Sequence, residues 1–526
     1  MKKRVLPIAG ICMAIVAGSM RTLRADRPER AGGKGAPRIA LIETRRPNGD
    51  SEIRVVGSAG KVKAVYKIGL SRHHHPATDA NDPVIRRWRS WRFGAFVCFN
   101  SNQFTGREFC LAKDPKTYRP TRLDVRQWVS TFQKAGMSHA VLTARHTSGF
   151  LLWDSATSEH DVAGSGDRTD VVKAFVEACR RQGVRPGIYY CLWGGKGCSV
   201  TGSKEIPQAR AAILAQLHEL ATRCGPIPYF WIDMMCWAPA GLSAREIYDS
   251  LKNVHPGTVV ILNQHVQDGR QLRYFPTDVL NGEMTAPPAG GHRPLRKVGK
   301  ATYYLPFEYE PCSQNRSPAV SGGDYADFCW FTYGRGKAFG ASKPFSAAFL
   351  YRYIRRAYGR GASNVLLACA PDYTGRMRDE DVRQLIELGG MLRDPLRAPP
   401  TPLTIGCKGS ASGVWPTPRL PASLAFDGDP RTRWGGARNT KAGWLAVDLG
   451  RPRTFRRLWV SEGYGRIRRF ELQVRKNGAW ETIHRGGAMG QDFTATFQPV
   501  TARHVRLNIL QAADVPTIWE FQLFEK

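Results

Sequence analysis

The stretch Asp124–His146, DVRQWVSTFQKAGMSHAVLTARH, reads as a helix, a stop and a strand in that order. Val125, Trp128, Val129 and Phe132 fall at i, i+3, i+4 and i+7, which lays one apolar stripe along a helix. Gly136 is placed to end it, because glycine tolerates the left-handed backbone of a helix C-terminus. Ahead of the stripe, Thr121-x-x-Asp124 resembles a capping box. Residues His139 to Ala144 then form a short apolar run closed by Arg145 and His146. A one-striped helix feeding a strand apolar on both faces is the repeating part of a parallel α/β fold.

The pattern repeats on either side. Val172, Phe175, Val176 and Cys179 carry the same stripe, stop before Gly183 and lead into GIYYCLW. Candidate strands are Phe93 to Phe99, His139 to Ala144, Gly187 to Leu192, Tyr229 to Asp233, Val259 to Leu262, Val279 to Asn281, Phe328 to Thr332 and Asn364 to Ala368. Eight such strands predict an α/β fold, a (β/α)8 TIM-like barrel over 84–393, with the excursion from Met284 to Asp327 expected as loops over its mouth. The Pro-rich run 394–403 marks a linker, since prolines stiffen a chain and remove backbone donors. Beyond it, short β-prone segments such as WLAVDLG, FELQVRK and RHVRLNI, parted by turn residues, predict an all-β sandwich of jelly-roll type over 404–526.

A chain of 526 residues is long enough for at least two cores. Residues 1–25 set basic residues before the apolar run Val5 to Met20, the layout of a signal peptide, so the expected location is secreted, periplasmic or extracellular. That run is broken by Pro7 and is short for a membrane span, and the mature chain is expected to have none. Residues 26–83, rich in Arg, Gly and Pro, read as a poorly ordered leader in which His73, His74 and His75 lie in a solvated segment rather than a metal site. Of 12 cysteines, removal of Cys12 with the signal leaves an odd number, so at least one thiol is unpaired, and no metal-type CxxC spacing appears. A net charge of +33 suits a polyanion, yet the basic residues are dispersed and no nucleic-acid module accompanies them. Nucleic acid is therefore not expected as a partner, and an anionic glycan is the sharper expectation beside a surface of merely compositional charge.

In a parallel barrel the chemistry sits at the C-terminal ends of the strands. Asp233 closes PYFWID and can be held for attack on an anomeric carbon, although an aspartate capping the next turn would look the same. Glu283 closes the strand of TDVLNGEM and is the first choice for proton transfer, with Glu308 and Glu310 of LPFEYEPC as alternatives. Arg145 and His146 can donate to sugar hydroxyls, while Phe150, Trp153, Tyr189, Tyr190 and Trp193 can cover a sugar face; singly, each such residue is more often core.

Taken together, WRFGAFVCFNSNQFTGREF, the 124–162 segment, DVVKAFVEACRRQGVRPGIYYCLW, FWID and GASNVLLACAPDYTGRM resemble, in order and spacing, the catalytic domain of glycoside hydrolase family 29, the α-L-fucosidases, across roughly 88–393. The resemblance implies a retaining exo-hydrolase of terminal α-linked L-fucose, acting on a fucosylated oligosaccharide or polysaccharide without a required cofactor. It places the nucleophile at Asp233, the acid/base at Glu283 or, in the other branch of the family, at Glu308 or Glu310, and sugar contacts at Cys98, Glu108, Arg145, His146, Thr147, Trp153, Tyr190 and Trp193. Cys98 and Thr147 stand where the family has histidines, which leaves open an α-L-galactoside or another fucose-like sugar, or a glycan binder without turnover. Residues 404–526 resemble the discoidin-like (coagulation factor five/eight type C) domain through AFDGDPRTRW, WLAVDLG and IWEFQLFE. That resemblance implies glycan binding or a brace for the barrel, and a structural calcium ion to which Asp427 and Asp429 would contribute oxygen ligands.

Overall fold

The computed structural model describes residues 39–525 except 59, 106–113, 194–207, 266–267, 316–329, 332–342, 418, 429–431 and 491, so the signal segment lies outside the described residues. The helix of the quoted stretch forms at Val125–Lys134, with Val125, Trp128, Val129 and Phe132 buried against the sheet. Asp124 itself, rather than a box begun by Thr121, is the N-cap, its carboxylate accepting from Gln127 N at 3.0 Å. Such a cap stabilises a helix by about 1 kcal/mol. Gly136 follows in the left-handed region at φ 74°.

Three antiparallel strands come first among the described residues: β1 (Ile39–Arg45), β2 (Ser51–Gly57) and β3 (Val62–Ile68). The leader is therefore folded over this span, which corrects the expectation of disorder. Alternation in SEIRVVG puts Ile53 and Val55 into the core, and polar anchors finish the docking. Tyr66 on β3 donates to Glu219 of the helix Gln208–Thr222, and Arg210 of that helix pairs with Glu43 on β1 and with Glu246. The histidines have partners, although His73 and His75 stay exposed: His73 Nδ1 meets the buried Asp249 carboxylate at 2.7 Å, and His74 Nε2 meets Asn253 Oδ1 at 2.9 Å.

The barrel consists of β4 (Phe93–Val97), β5 (His139–Arg145), β6 (Arg185–Cys191), β7 (Tyr229–Asp233), β8 (Val259–Leu262), β9 (Leu280–Glu283), β12 (Phe307–Glu310) and β15 (Ala362–Cys369). Between β9 and β12 runs a hairpin of β10 (Leu295–Val298) and β11 (Ala301–Tyr304); β13 (Gln314–Asn315) and β14 (Lys343–Pro344) pair outside the barrel. The parallel order is β8-β7-β6-β5-β4-β15-β12-β9. The seventh barrel strand is thus β12, inside the stretch expected to be loop, while Trp330 and Phe331 of the expected strand lie in bends and Phe328, Cys329 and Thr332 lie outside the described residues. The two glutamates of FEYE hide that strand from an apolar-run reading, because both are polar, ionisable residues buried inside the barrel.

No ladder joins β8 to β9. Side chains close that seam: Asp278 accepts from Val260 N at 2.8 Å, Thr277 from Leu262 N at 3.1 Å and Asn281 from Gln264 N at 2.8 Å. Inside, Phe96, Tyr189 and Trp231 pack ring against ring at 5.4–5.5 Å, over a lower layer of Trp88, Trp91, His139 and Tyr229. Gly94 makes room for this layer, since a Cβ there would lie 2.3 Å from the His139 ring.

The C-terminal unit is antiparallel, with its long strands Gly443–Glu462, Ile467–Lys476, Ala479–Gly486, Phe493–Ala512 and Thr517–Phe524 in one sheet path and a core of its own around Trp434, Leu445, Phe470 and Phe521. It meets the barrel at the helix Ala347–Gly359, where Arg352 lies 4.8 Å over Trp459 and 4.9 Å over Phe524, and Phe349 packs on Trp459. Among the described residues, Cys179, Cys191, Cys224, Cys236, Cys369 and Cys407 are free thiols. No helix among the described residues is long and apolar enough to cross a membrane.

Candidate active site

Strand alternation decides which side chains enter the barrel. On β7, Tyr229, Trp231 and Asp233 share the inner face, so Asp233 is carried at its C-terminal rim, 9% exposed. Three donors hold its carboxylate: Tyr189 Oη to Oδ2 at 2.6 Å, and Asn263 Nδ2 at 2.7 Å and Met234 N at 2.6 Å to Oδ1. Burial, with the Asp233 charge beside it, pushes the Tyr189 phenol well above its ordinary value, so it remains a donor. Glu283 ends β9 partly exposed, and Asn263 Nδ2 also donates to its Oε2 at 3.3 Å. One amide nitrogen therefore touches both carboxylates, whose contacted oxygens can be no farther apart than the sum of its two distances, 6.0 Å. Met234 and Met284, the residues following the two acids, both adopt left-handed backbone at φ 59° and 51°. Non-glycine residues in that region cost about 1–2 kcal/mol each and cluster at functional sites.

Glu308 and Glu310 share the inner face of β12 and are fully buried. Glu308 Oε1 accepts from Tyr229 at 2.5 Å and Trp231 at 3.3 Å, and Glu310 Oε2 accepts from Asn281 at 3.2 Å. Glu310 pairs in register with Glu283. Burial raises both glutamates well above the carboxylate range, and for Glu310 the charges of Glu308 and Glu283 add to it.

His146 faces this group, stacked at 5.7 Å on Tyr189 and edge-on at 4.8 Å to the buried Phe331. Burial, opposed by the Asp233 charge, draws its imidazole down to about 4, so it is neutral and can both donate and accept. Cys98 joins the same inner cluster, and Thr147 Oγ1 contacts His146 Nδ1 and accepts from Asn102 at 3.0 Å. Trp193 stacks on Trp237 at 5.6 Å. Sequence reasoning missed Asn263, His265, Trp237 and Phe331; only the closing of VVIL by Asn263 gave a strand-end signal.

Two expected sugar contacts turn the other way. Trp153 is fully buried and donates to Glu219 at 2.7 Å, between strands and helices, and Tyr190 donates to Gln216 at 2.5 Å on the same outer side. Tyr190 neighbours the inward Tyr189, and period-two alternation sends it out. Arg145, past an irregularity in the β5–β6 register, donates to the Cys191 carbonyl and lies 5.1 Å over the Tyr190 ring. Glu108 and Asp429 lie outside the described residues. Both oxygens of Asp427 accept from Thr432, and among the described residues no three His, Cys, Asp or Glu side chains converge.

Comparison with known proteins follows the same division. Residues 66–287 match the family model Alpha-L-fucosidase, and 407–521 match F5/8 type C domain. "Putative alpha-L-fucosidase 1" of Oryza sativa subsp. japonica is 24% identical over 83% of this chain and 83% of its own length. Alpha-L-fucosidase 1 of Arabidopsis thaliana is 31% identical over 31% of this chain and 33% of its own. A Ruminococcus gnavus GH29 fucosidase solved in complex with fucose is 19% identical, covering 87% of this chain and 98% of that one with a TM-score of 0.48. The first six barrel strands thus fall within a match to one family model, Alpha-L-fucosidase, and the C-terminal unit within a match to another, F5/8 type C domain, and it is to α-L-fucosidases that the chain is similar.

Proposed function

We propose that the protein is an exported, retaining exo-α-L-fucosidase in which Asp233 is the nucleophile and Glu283 the acid/base. The observation that carries this is the shared Asn263 amide: it bounds Asp233 Oδ1 and Glu283 Oε2 to at most 6.0 Å (2.7 Å plus 3.3 Å), a range that includes the roughly 5–5.5 Å of retaining enzymes and stays below the roughly 6.5–9.5 Å that admits a water in inverting ones. Glu283 protonates the glycosidic oxygen as Asp233 Oδ attacks the anomeric carbon, forming an ester and releasing the aglycone alcohol. Glu283 then takes a proton from water, which cleaves the ester and frees fucose with its configuration kept. Glu308 and Glu310, both 0% exposed and hydrogen-bonded to Trp231 and Asn281 respectively, are less open to a leaving group than the partly exposed Glu283. His146 is placed to bind hydroxyls, and the Trp193–Trp237 pair to cover an apolar sugar face.

The test is hydrolysis of an aryl α-L-fucoside, with the L-galactoside alongside, and trapping by a 2-fluoro fucosyl donor followed by peptide mass mapping. Label on Asp233, together with loss of turnover in Asp233→Gly, is expected. Turnover surviving that substitution, or label elsewhere, would discard the assignment.

A further inference from the structure

We infer that Asn263 is a positioning residue that sets the separation and ionisation of the two active-site carboxylates, and that its orientation is fixed through Asn281 in the seam of the barrel. The inference rests on the reading of Asp233 and Glu283 given above. Its basis is a saturated amide pair. Asn263 Oδ1 accepts from His265 N at 2.8 Å and from Asn281 Nδ2 at 2.7 Å, while its Nδ2 donates to Asp233 and to Glu283. Asn281 Oδ1 accepts from Gln264 N at 2.8 Å, and its Nδ2 also donates to Glu310.

An asparagine amide can be turned over without changing its shape, so the identity of the atoms facing the carboxylates needs an anchor. The backbone N–H groups of Gln264 and His265 supply two, because they can only donate. Turning Asn281 would set its NH2 against Gln264 N–H, and turning Asn263 would set its oxygen against two carboxylates. Each nitrogen is therefore held toward the acids. Both side chains are buried, at 1% and 0% exposure, so water does not readily replace either donor.

A donor to a carboxylate favours its ionised form, and Asn263 is the donor common to both acids. Other groups bear on the same pair. His146 faces Asp233 from beyond β5 and Tyr189 and Cys191 from β6; Cys236, His265 and Tyr274 face it from the loops after β7 and β8; Glu310 faces both acids from β12. None of these donates to Asp233 and Glu283 together in the described contacts.

The experiment compares the pH dependence of kcat/KM for an aryl α-L-fucoside in wild type, Asn263→Ala and Asn281→Ala, with the fluorinated donor applied to each. For Asn263→Ala, both limbs of the profile are expected to move to higher pH by about one unit, with kcat down about 10²- to 10³-fold and KM changed far less. Asn281→Ala, which frees one anchor, is expected to move them the same way by less, and it decides the matter should Asn263→Ala not fold. Limbs that stay in place while activity falls would reduce Asn263 to a packing role and overturn the inference. Wild-type label on a residue other than Asp233 would instead overturn the reading of the nucleophile, so the two failures are told apart.

Discussion

Replacing Trp153 by phenylalanine separates a sugar wall from a structural tie. The Trp153 indole N–H donates to Glu219 at 2.7 Å, and the same carboxylate accepts from Ser155 Oγ at 2.7 Å, Ala156 N at 3.2 Å and the Tyr66 hydroxyl. Phenylalanine removes one donor to a charged group, worth about 1.5–3 kcal/mol. It also leaves the volume of the lost pyrrole ring beside a fully buried position, adding about 1 kcal/mol. The expected loss is about 2.5–4 kcal/mol of stability, read as a lower guanidinium midpoint for the variant. KM for an aryl α-L-fucoside should stay within about twofold, because no sugar reaches that layer. A tenfold rise in KM with an unmoved unfolding midpoint would refute the reasoning and return Trp153 to the sugar site.

Tyr189→Phe removes one of three donors to Asp233, a loss of about 1.5–3 kcal/mol that should move the acid limb of kcat/KM up by about 1–2 pH units; an unmoved limb would contradict it. Glu308 is held protonated in the folded barrel by burial, whereas the unfolded chain releases that proton above its ordinary carboxylate value, so raising the pH favours unfolding. Glu308→Gln cannot ionise, and its melting temperature should accordingly fall less than that of wild type between about pH 5 and 8; parallel curves would count against the buried acid. Gly94→Ala thrusts a methyl to 2.3 Å from His139, a ring 1% exposed with no room to swing, and should cost about 1–3 kcal/mol or more in denaturant unfolding.

Much of the barrel was legible because its helices carry clean stripes and most of its strands are unbroken apolar runs. Asp233 and Glu283 were legible for a related reason, each being the polar residue that closes such a run. Strand β12 was not, since buried acids look like surface residues until the fold encloses them. The direction of Trp153 and Tyr190 was also hidden, because aromatic neighbours on one strand differ by which face they take, and composition says nothing of that. Asn263 needed the three-dimensional crossing of β7, β8 and β9 to become visible as a shared donor. The N-terminal strands were masked by Arg- and Gly-rich surroundings, although their alternation was present in SEIRVVG.

Those strands have a practical bearing on how the enzyme is handled. A shortened version that starts where the α/β repeats begin would strip the cover from two neighbouring helices. It would leave Arg210 without Glu43 and Glu219 without Tyr66, turning satisfied partners into exposed, mismatched ones. This three-stranded segment is thus better regarded as cladding that belongs to the catalytic body than as a tag to be trimmed.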